Sequence, residues 1–413
     1  MKYTLNIKEV THALSEALDF VGIDDILHSK RVAYMAAEVS KKIGWSDKIT
    51  DDLMFIGMLH DCGVSSTDVH THLVGELDWA NSHIHSIRGE DLLRRTSVYR
   101  RFSTSIRYHH THWDALPDEL SQDEKEISNL IYLVDRVDAL RAQNANARPE
   151  DIQATIRKYA GSLFSPELVE AFIATSSNGS FWFYLDSDAL GEYVAEWVET
   201  GSDDTYTFLE IKEISLMFAA IVDAKSVFTF EHSIGVATLS RYLAELFQLP
   251  QERCEEIELA GLLHDLGKLR VDDAILDKPG QLNEEERLIM NRHGFDSDIV
   301  LRRIKGFKRI AHIASLHHET LDAKGYPYAL SKENIPFEAR IVAVADIFQA
   351  LIQNRPYREG MSMDEAYSII HEMCENGKLD PDIVTKLNEN LESCYANATV
   401  TYTISQNSSY AIS

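Results

Sequence analysis

Two adjacent histidines, His317 and His318, stand before Glu319, and a short loop later comes Gly325-Tyr326-Pro327. Neighbouring side chains at a helix end diverge by roughly 100°, so such a pair can face two different metal ions. The Gly and Pro mark a turn that keeps its backbone beside the histidines. Further candidate ligands lie on both sides. His264-Asp265 follows the apolar run Leu259-Ala260-Gly261-Leu262-Leu263 and leads into Leu266-Gly267-Lys268. His232 lies upstream, His293 lies between, and Asp346 ends the apolar run from Ile341 to Ala345. Imidazoles and carboxylates from several helices suit Fe, Mn, Zn, Co or Ni. A carboxylate next to a histidine can bridge two ions, and paired ions activate water for in-line attack on phosphorus.

In this order, His264-Asp265 with Gly267-Lys268, His317-His318-Glu319, Asp322 and Gly325-Tyr326-Pro327 resemble the HD-GYP family. The likeness runs through residues 219 to 390 and includes Ile275-Leu276-Asp277-Lys278-Pro279-Gly280 and Arg355-Pro356-Tyr357-Arg358. The resemblance implies an all-helical, metal-dependent phosphodiesterase that linearises a cyclic dinucleotide. It implies metal ligands at His232, His264, Asp265, His293, His317, His318 and Asp346, with Asp265 bridging two or three divalent ions, Fe or Mn. Asp265 and Lys268 are the implied catalytic residues, Lys268 facing the substrate phosphate as a point charge. Arg355 and Arg358 are implied to grip a phosphate, a task that guanidinium forks suit. Tyr326 and Pro327 would shape the substrate pocket, and Asp322 would either orient a ligand or act on protons. Asp223 sits where some members carry a carboxylate for an additional ion, and reads equally as a helix-surface acid. The sequence departs from the family twice. Ala323 follows the motif Asp where Gly is usual, and Gln349 replaces the acid that commonly follows the Asp346 position. Ala is acceptable in a tight turn at negative φ and mildly strained otherwise. Neither change removes a ligand.

The elements that must carry these residues occur twice. His28 and His60 are 32 residues apart, as are His232 and His264; His85 and His109 are 24 apart, as are His293 and His317. Gly57-Met58-Leu59-His60-Asp61-Cys62-Gly63 matches Gly261-Leu262-Leu263-His264-Asp265-Leu266-Gly267, His109-His110 matches His317-His318, and Asp135 matches Asp346. Ser165-Pro166-Glu167 corresponds in the same way to Asp380-Pro381-Asp382. Matched spacing at so many anchors implies two copies of one helical unit. In the first copy a second metal site is expected at His28, His60, Asp61, His85, His109, His110 and Asp135, but the rest is lost. Val64 stands where the second copy has Lys268, no Gly-Tyr-Pro follows His109-His110, and Gln143-Asn144-Ala145-Asn146 replaces Arg-Pro-Tyr-Arg. The first copy therefore reads as a catalytically degraded HD domain that helps dimerise, regulate or cover the second.

The expected architecture is all-α: two tandem HD-domain helical bundles, the second an HD-GYP domain. The expected boundaries are a degenerate HD domain at 1–180, a linker at 181–205, a catalytic domain at 206–393 and a tail at 394–413. Apolar positions Val32, Met35, Ala36 and Val39 share one helix face that Gly44 stops. Phe181-Trp182-Phe183-Tyr184 reads as an apolar plug rather than a stacking platform for bases. The chain has 413 residues, 45% of them hydrophobic, enough for two cores. No run approaches the roughly 18 uncharged apolar residues of a membrane span. No signal core opens the chain, and Cys62, Cys254, Cys374 and Cys394 form no CxxC pair. They read as reduced thiols, so the expected location is cytoplasmic. A net charge of -26 opposes long nucleic acid as a partner but leaves room for a small anion in a metal-lined pocket. The substrate expected is 3'3'-cGAMP or c-di-GMP, and the assembly considered is a homodimer. Two alternatives stand beside the phosphodiesterase: a sensor that holds a cyclic dinucleotide without cutting it, and an HD-type nucleotidase.

Overall fold

The computed structural model describes residues 2–22, 27–144, 146–225, 230–354, 359–400, 402–403 and 411–412. The repeat shows as two compact, helical units: Asn6–Asp203, and Asp204–Ser413 together with Met1–Leu5. In the first unit the helices are α1 (Ile7–Asp19), α2 (His28–Ile43), α3 (Asp47–Leu59), α4 (Thr67–Gly75), α5 (His83–Arg94), α6 (Ser103–Tyr108), α7 (Gln122–Gln143), α8 (Pro149–Arg157), α9 (Pro166–Ser176), α10 (Gly179–Phe183) and α11 (Ser187–Glu199). The second unit continues with α12 (Phe208–Lys225), α13 (Phe230–Leu246), α14 (Gln251–Leu263), α15 (Asp273–Leu276), α16 (Glu284–Asn291), α17 (His293–Leu301), α18 (Lys308–Ser315), α19 (Phe337–Ile352), α20 (Met363–Glu375), α21 (Pro381–Glu389) and α22 (Leu391–Ala398).

In each unit one central helix packs against two neighbours: α2 against α3 and α7, α13 against α14 and α19. Val32, Met35, Ala36 and Val39 are fully buried on α2, and Gly44 ends it in a left-handed conformation at φ 86°. A capping box of Ser121 and Glu124 starts α7, where its first amides need acceptors. Both α9 and α21 open with proline in the first turn, where the lost amide proton costs nothing. Among the described residues no helix is long and apolar enough to cross a membrane.

Three segments differ from the expected boundaries. Residues 181–205 are not a loose linker, because Leu190, Val194 and Trp197 bury one face of α11 in the first unit. Phe181 packs on Tyr34 and Phe172 in that same unit. Residues 2–5 join the second unit through strand β1 (Lys2–Asn6), which pairs with β2 (Asp203–Thr207). The stretch expected as a tail is helical to Ala398, with Cys394 and Ala398 buried. Beyond it, Tyr402–Thr403 pairs antiparallel with Ala411–Ile412.

Candidate metal centres

Four helix ends meet in the second unit. The end of α14 supplies His264 and Asp265, α13 supplies His232, α17 starts at His293, and the turn after α18 carries His317 and His318. From the middle of α19 comes Asp346. Gly267 lets the His-Asp turn touch α17: a Cβ there would lie 2.0 Å from the His293 carbonyl oxygen, and Gly63 repeats this against His85. The Nδ1 atoms of His264, His293 and His317 each face a backbone carbonyl, of Gly261, Met290 and Ala314, at 2.7, 2.6 and 2.6 Å. Those bonds place the ring proton on Nδ1 and leave Nε2 as a lone pair. The lone pairs then converge in two groups. His232 Nε2 lies 3.3 Å from His264 Nε2, and His293 Nε2 lies 3.2 Å from His317 Nε2.

Asp265 stands between the groups. Its Oδ2 is 3.3 Å from His264 Nε2 and 3.7 Å from His232 Nε2, while its Oδ1 is 3.6 Å from His293 Nε2 and 3.9 Å from His317 Nε2. Asp346 Oδ1 joins the first group at 3.2 Å from His232 Nε2. His318 joins the second, in a triad with His293 and His317. Acceptor lone pairs turned on each other at such distances repel unless a cation lies between them, and Asp265 Oδ1 is buried with no hydrogen-bond partner. The donor set therefore fits a pair of divalent ions sharing Asp265, with all seven expected ligands brought together.

Electrostatics agree for the two carboxylates and for His293 and His318, while at His264 burial lowers the ring and Asp265 beside it reverses that. Burial raises the Asp265 carboxyl, but His264 and Lys268 outweigh it and hold it well below the usual carboxylate range. Burial likewise raises Asp346, and the hydrogen bond to His232 with the charge of His264 reverses that. Burial pushes His293 down to about 4, and burial with His293 beside it pushes His318 down to about 3. Neutral imidazoles and ionised carboxylates are the forms that bind metal.

The surrounding residues divide. Lys268 Nζ lies 2.5 Å from Asp265 Oδ2, at the mouth of the cluster. Tyr326 packs on His318 with ring centroids 4.7 Å apart and the planes tilted by 37°, joined by a cis bond to Pro327, whose ring borders Gly294. Gly325 is the point where the loop returns to the histidines: a Cβ would lie 2.4 Å from the Thr320 nitrogen and 2.6 Å from the His318 oxygen. Asp322 is taken up by the turn, accepting from the Thr320 hydroxyl at 2.6 Å and the Lys324 amide at 3.3 Å. Ala323 has φ 58°, the left-handed region where a Cβ is strained. Asp223 is buried rather than on a helix surface and accepts the Ser233 hydroxyl at 3.0 Å, as Asp19 accepts that of Ser29 at 2.8 Å. Arg355 and Arg358 lie outside the described residues.

Two partners went unread in the sequence. Glu319, buried, accepts the Tyr328 and Leu330 amides at 2.7 and 2.9 Å and so anchors the loop around Tyr326. Gln349 accepts from His232 Nδ1 at 2.5 Å, orienting a ligand 117 residues away. Its spacing of three from Asp346 was a usable signal, since one helical turn puts both on one face.

The first unit assembles the same seven ligand types. His28 Nε2 and His60 Nε2 are 3.2 Å apart, and His85 Nε2 and His109 Nε2 are 3.1 Å apart. Asp61 Oδ2 is 3.3 Å from His60 Nε2, and its Oδ1 is 3.4 Å from His85 Nε2. Asp135 Oδ1 is 3.4 Å from His28 Nε2, and its Oδ2 is 3.6 Å from His110 Nε2. Val64 fills the position of Lys268 on the same turn, its amide 2.9 Å from the Asp61 carbonyl.

Known proteins resemble this chain. The HD-domain family matches residues 216–383 and again residues 26–143. The chain is 35% identical over 407 residues to the 3'3'-cGAMP-specific phosphodiesterase 1 of Vibrio cholerae, covering 96% of this chain and 94% of that one. It is 38% identical over 160 residues to the cyclic di-GMP phosphodiesterase PA4108 of Pseudomonas aeruginosa, covering 38% of this chain and 37% of that protein. The crystal structure of the cyclic GMP-AMP specific phosphodiesterase V-cGAP3 of V. cholerae is similar with a TM-score of 0.64 and 25% identity, covering 95% of this chain and 98% of that one. A duplicated His-Asp cage and a relative aligned nearly end to end lead to one assignment: the chain belongs to the HD-domain family, as a tandem HD and HD-GYP phosphodiesterase.

Proposed function

We propose that the second unit hydrolyses 3'3'-cGAMP to a linear dinucleotide, with c-di-GMP as the weaker substrate. The observation that carries this reading is Asp265, whose two oxygens face two separate histidine groups while Lys268 stands 2.5 Å away. The preference for 3'3'-cGAMP is supported by the relative that matches along 96% of the chain, whereas the cyclic di-GMP enzyme matches 38% of it. Two divalent ions, which we take to be Fe or Mn, would supply water activation and polarise the phosphate. His232, His264 and Asp346 would hold one, His293, His317 and His318 the other, and Asp265 both.

The reaction adds water across one P–O ester bond. A hydroxyl is left on phosphorus, and the released sugar oxygen takes the proton. Lys268 turns from Asp265 to a non-bridging phosphate oxygen and stabilises the charge that develops there. Arg355 and Arg358, by their likeness to the family's phosphate grip, hold the second phosphate. Tyr326, packed on His318, offers an aromatic wall to the substrate. Asp322 contributes by setting the turn that presents Tyr326 and Pro327. Four free cysteines and a soluble nucleotide substrate favour the cytoplasm.

The test is a product assay on purified full chain loaded anaerobically with Mn²⁺ or Fe²⁺. Each cyclic dinucleotide is offered separately to wild type and to His317→Ala. Linear product from wild type, faster with 3'3'-cGAMP and lost in the variant, is the expected result. Metal-loaded protein that binds either ligand tightly yet releases no product overturns the reading in favour of a sensor.

A further inference from the structure

The first unit's ligands fall into two groups that share Asp61, and the one with His28 and His60 brings three ligand atoms together. Asp61, His85, His109 and His110 offer four ligand atoms that lie within 4.8 Å of one another. Two edges of this group, 3.1 Å between His85 and His109 and 3.4 Å between His85 and Asp61, match a tetrahedral ion, whose ligands at about 2.0–2.1 Å stand about 3.3 Å apart. His109 Nδ1 faces the Ile106 carbonyl at 2.6 Å, so its Nε2 points inward as a lone pair. His85 is 2% exposed and its Nδ1 has no hydrogen-bond partner.

The other half of the cage already holds a cation. Arg136 Nη2 lies 2.8 Å from Asp135 Oδ2, on the carboxylate that His28 and His60 would share with an ion. The second unit has Ile347 at this position. Arg136 also donates to the carbonyls of Leu73 and Glu76 at 2.8 and 2.7 Å, and so clamps the end of α4 onto α7. The difference in cover lies at the last histidine, since the Asp61 side chain is 12% exposed and that of Asp265 4%. The His110 side chain is 3% exposed, whereas that of His318 in the second unit is 27% exposed. A catalytic ion needs an open coordination position, and a structural one does not.

We propose that the first unit holds a single structural ion of the zinc type, coordinated tetrahedrally by Asp61, His85, His109 and His110, with Arg136 as the built-in cation of the vacant half. The ion contributes to the fold of the first unit and takes no part in hydrolysis. This site stands independently of the reading given for the second unit.

The test uses the full chain, purified after growth with zinc and manganese and dialysed against EDTA. Metal content is counted per chain, and Co²⁺ is exchanged in to read geometry from its visible spectrum. A single ion should resist the chelation that strips the others. It should give an intense tetrahedral Co²⁺ spectrum, remain in His317→Ala, and be lost in His109→Ala with a lowered Tm. Should His109→Ala fail to fold, the nearly isosteric Asp61→Asn removes the charged ligand and must also release the ion. Complete stripping of wild type by EDTA, two resistant ions per chain, or loss of the resistant ion in His317→Ala rather than in the first-unit variants overturns the proposal.

Discussion

In the first unit His28 Nδ1 is held by Asp138 at 2.8 Å, and Asp138 is held in turn by Arg31 at 2.6 and 2.8 Å. In the second unit His232 is held by the neutral amide of Gln349, and Gly235 stands where Arg31 does. A Cβ on Gly235 would lie 2.3 Å from the Ala398 carbonyl oxygen and 2.9 Å from Gln349, so the end of α22 occupies the room the arginine needs. The two units thus keep one ligand set inside two different supporting shells. One is charged, paired and covered at His110; the other is neutral behind the ligands and open beside His318. The charged pair behind His28 belongs to the half of the first cage that Arg136 occupies, whereas the neutral amide behind His232 orients the ring and leaves its ion more electrophilic. Ligand letters alone do not separate a structural site from a catalytic one, but the shell does.

Substitutions can break this contrast, the largest effect coming from the charged shell. Asp138→Ala takes the carboxylate from both Arg31 and His28 and should cost about 3–5 kcal/mol in denaturant unfolding of the first unit; a loss below about 1 kcal/mol would deny the pair its role. Burial raises Asp138, but Arg31 and the bond to His28 outweigh it and hold the carboxyl well below the usual range. A depressed carboxylate stabilises above its unfolded pKa of about 3.9, so the gap between wild type and variant should be full above that pH and shrink below it. Lys268→Val writes the first unit's residue into the second. It should lower kcat by about 10²–10³-fold with metal content retained, and a drop under about tenfold would place the lysine outside the transition state. Gln349→Ala removes the acceptor behind His232 and should weaken Mn²⁺ binding by about 10–100-fold in a direct titration. An unchanged affinity there would mean that packing alone orients the ring. The smallest change sharpens the loop: Ala323→Gly relieves the left-handed φ and should stabilise by up to about 1 kcal/mol, so a net loss in Tm would show that the methyl group packs.

The duplication and the ligands were legible because metal coordination needs particular side chains at particular steps along a helix, and a repeat copies those steps. His264, Asp265, His317 and His318 are visible in the sequence for this reason, as are Gly325 and Lys268. The supporting shell was not, because its members meet across long separations that no period encodes. Gln349 reads as a lost acid until His232 is seen against it, and nothing in the sequence marks Arg136 until its guanidinium is found on Asp135 and the end of α4. Asp322 shows the reverse, a motif residue whose carboxylate the turn consumes.

The sequence by itself determined the helical class, the two copies, the seven matched His and Asp positions in each and the Val64 that stands in the first where the second has Lys268. Only the tertiary structure decided which cage is covered at its last histidine and which is open there, and that residues 2–5 belong with the second unit. The physical reason is that coordination is chosen by side-chain type, which is local. Access and second-shell charge depend instead on which distant helix lies over the site and what it carries.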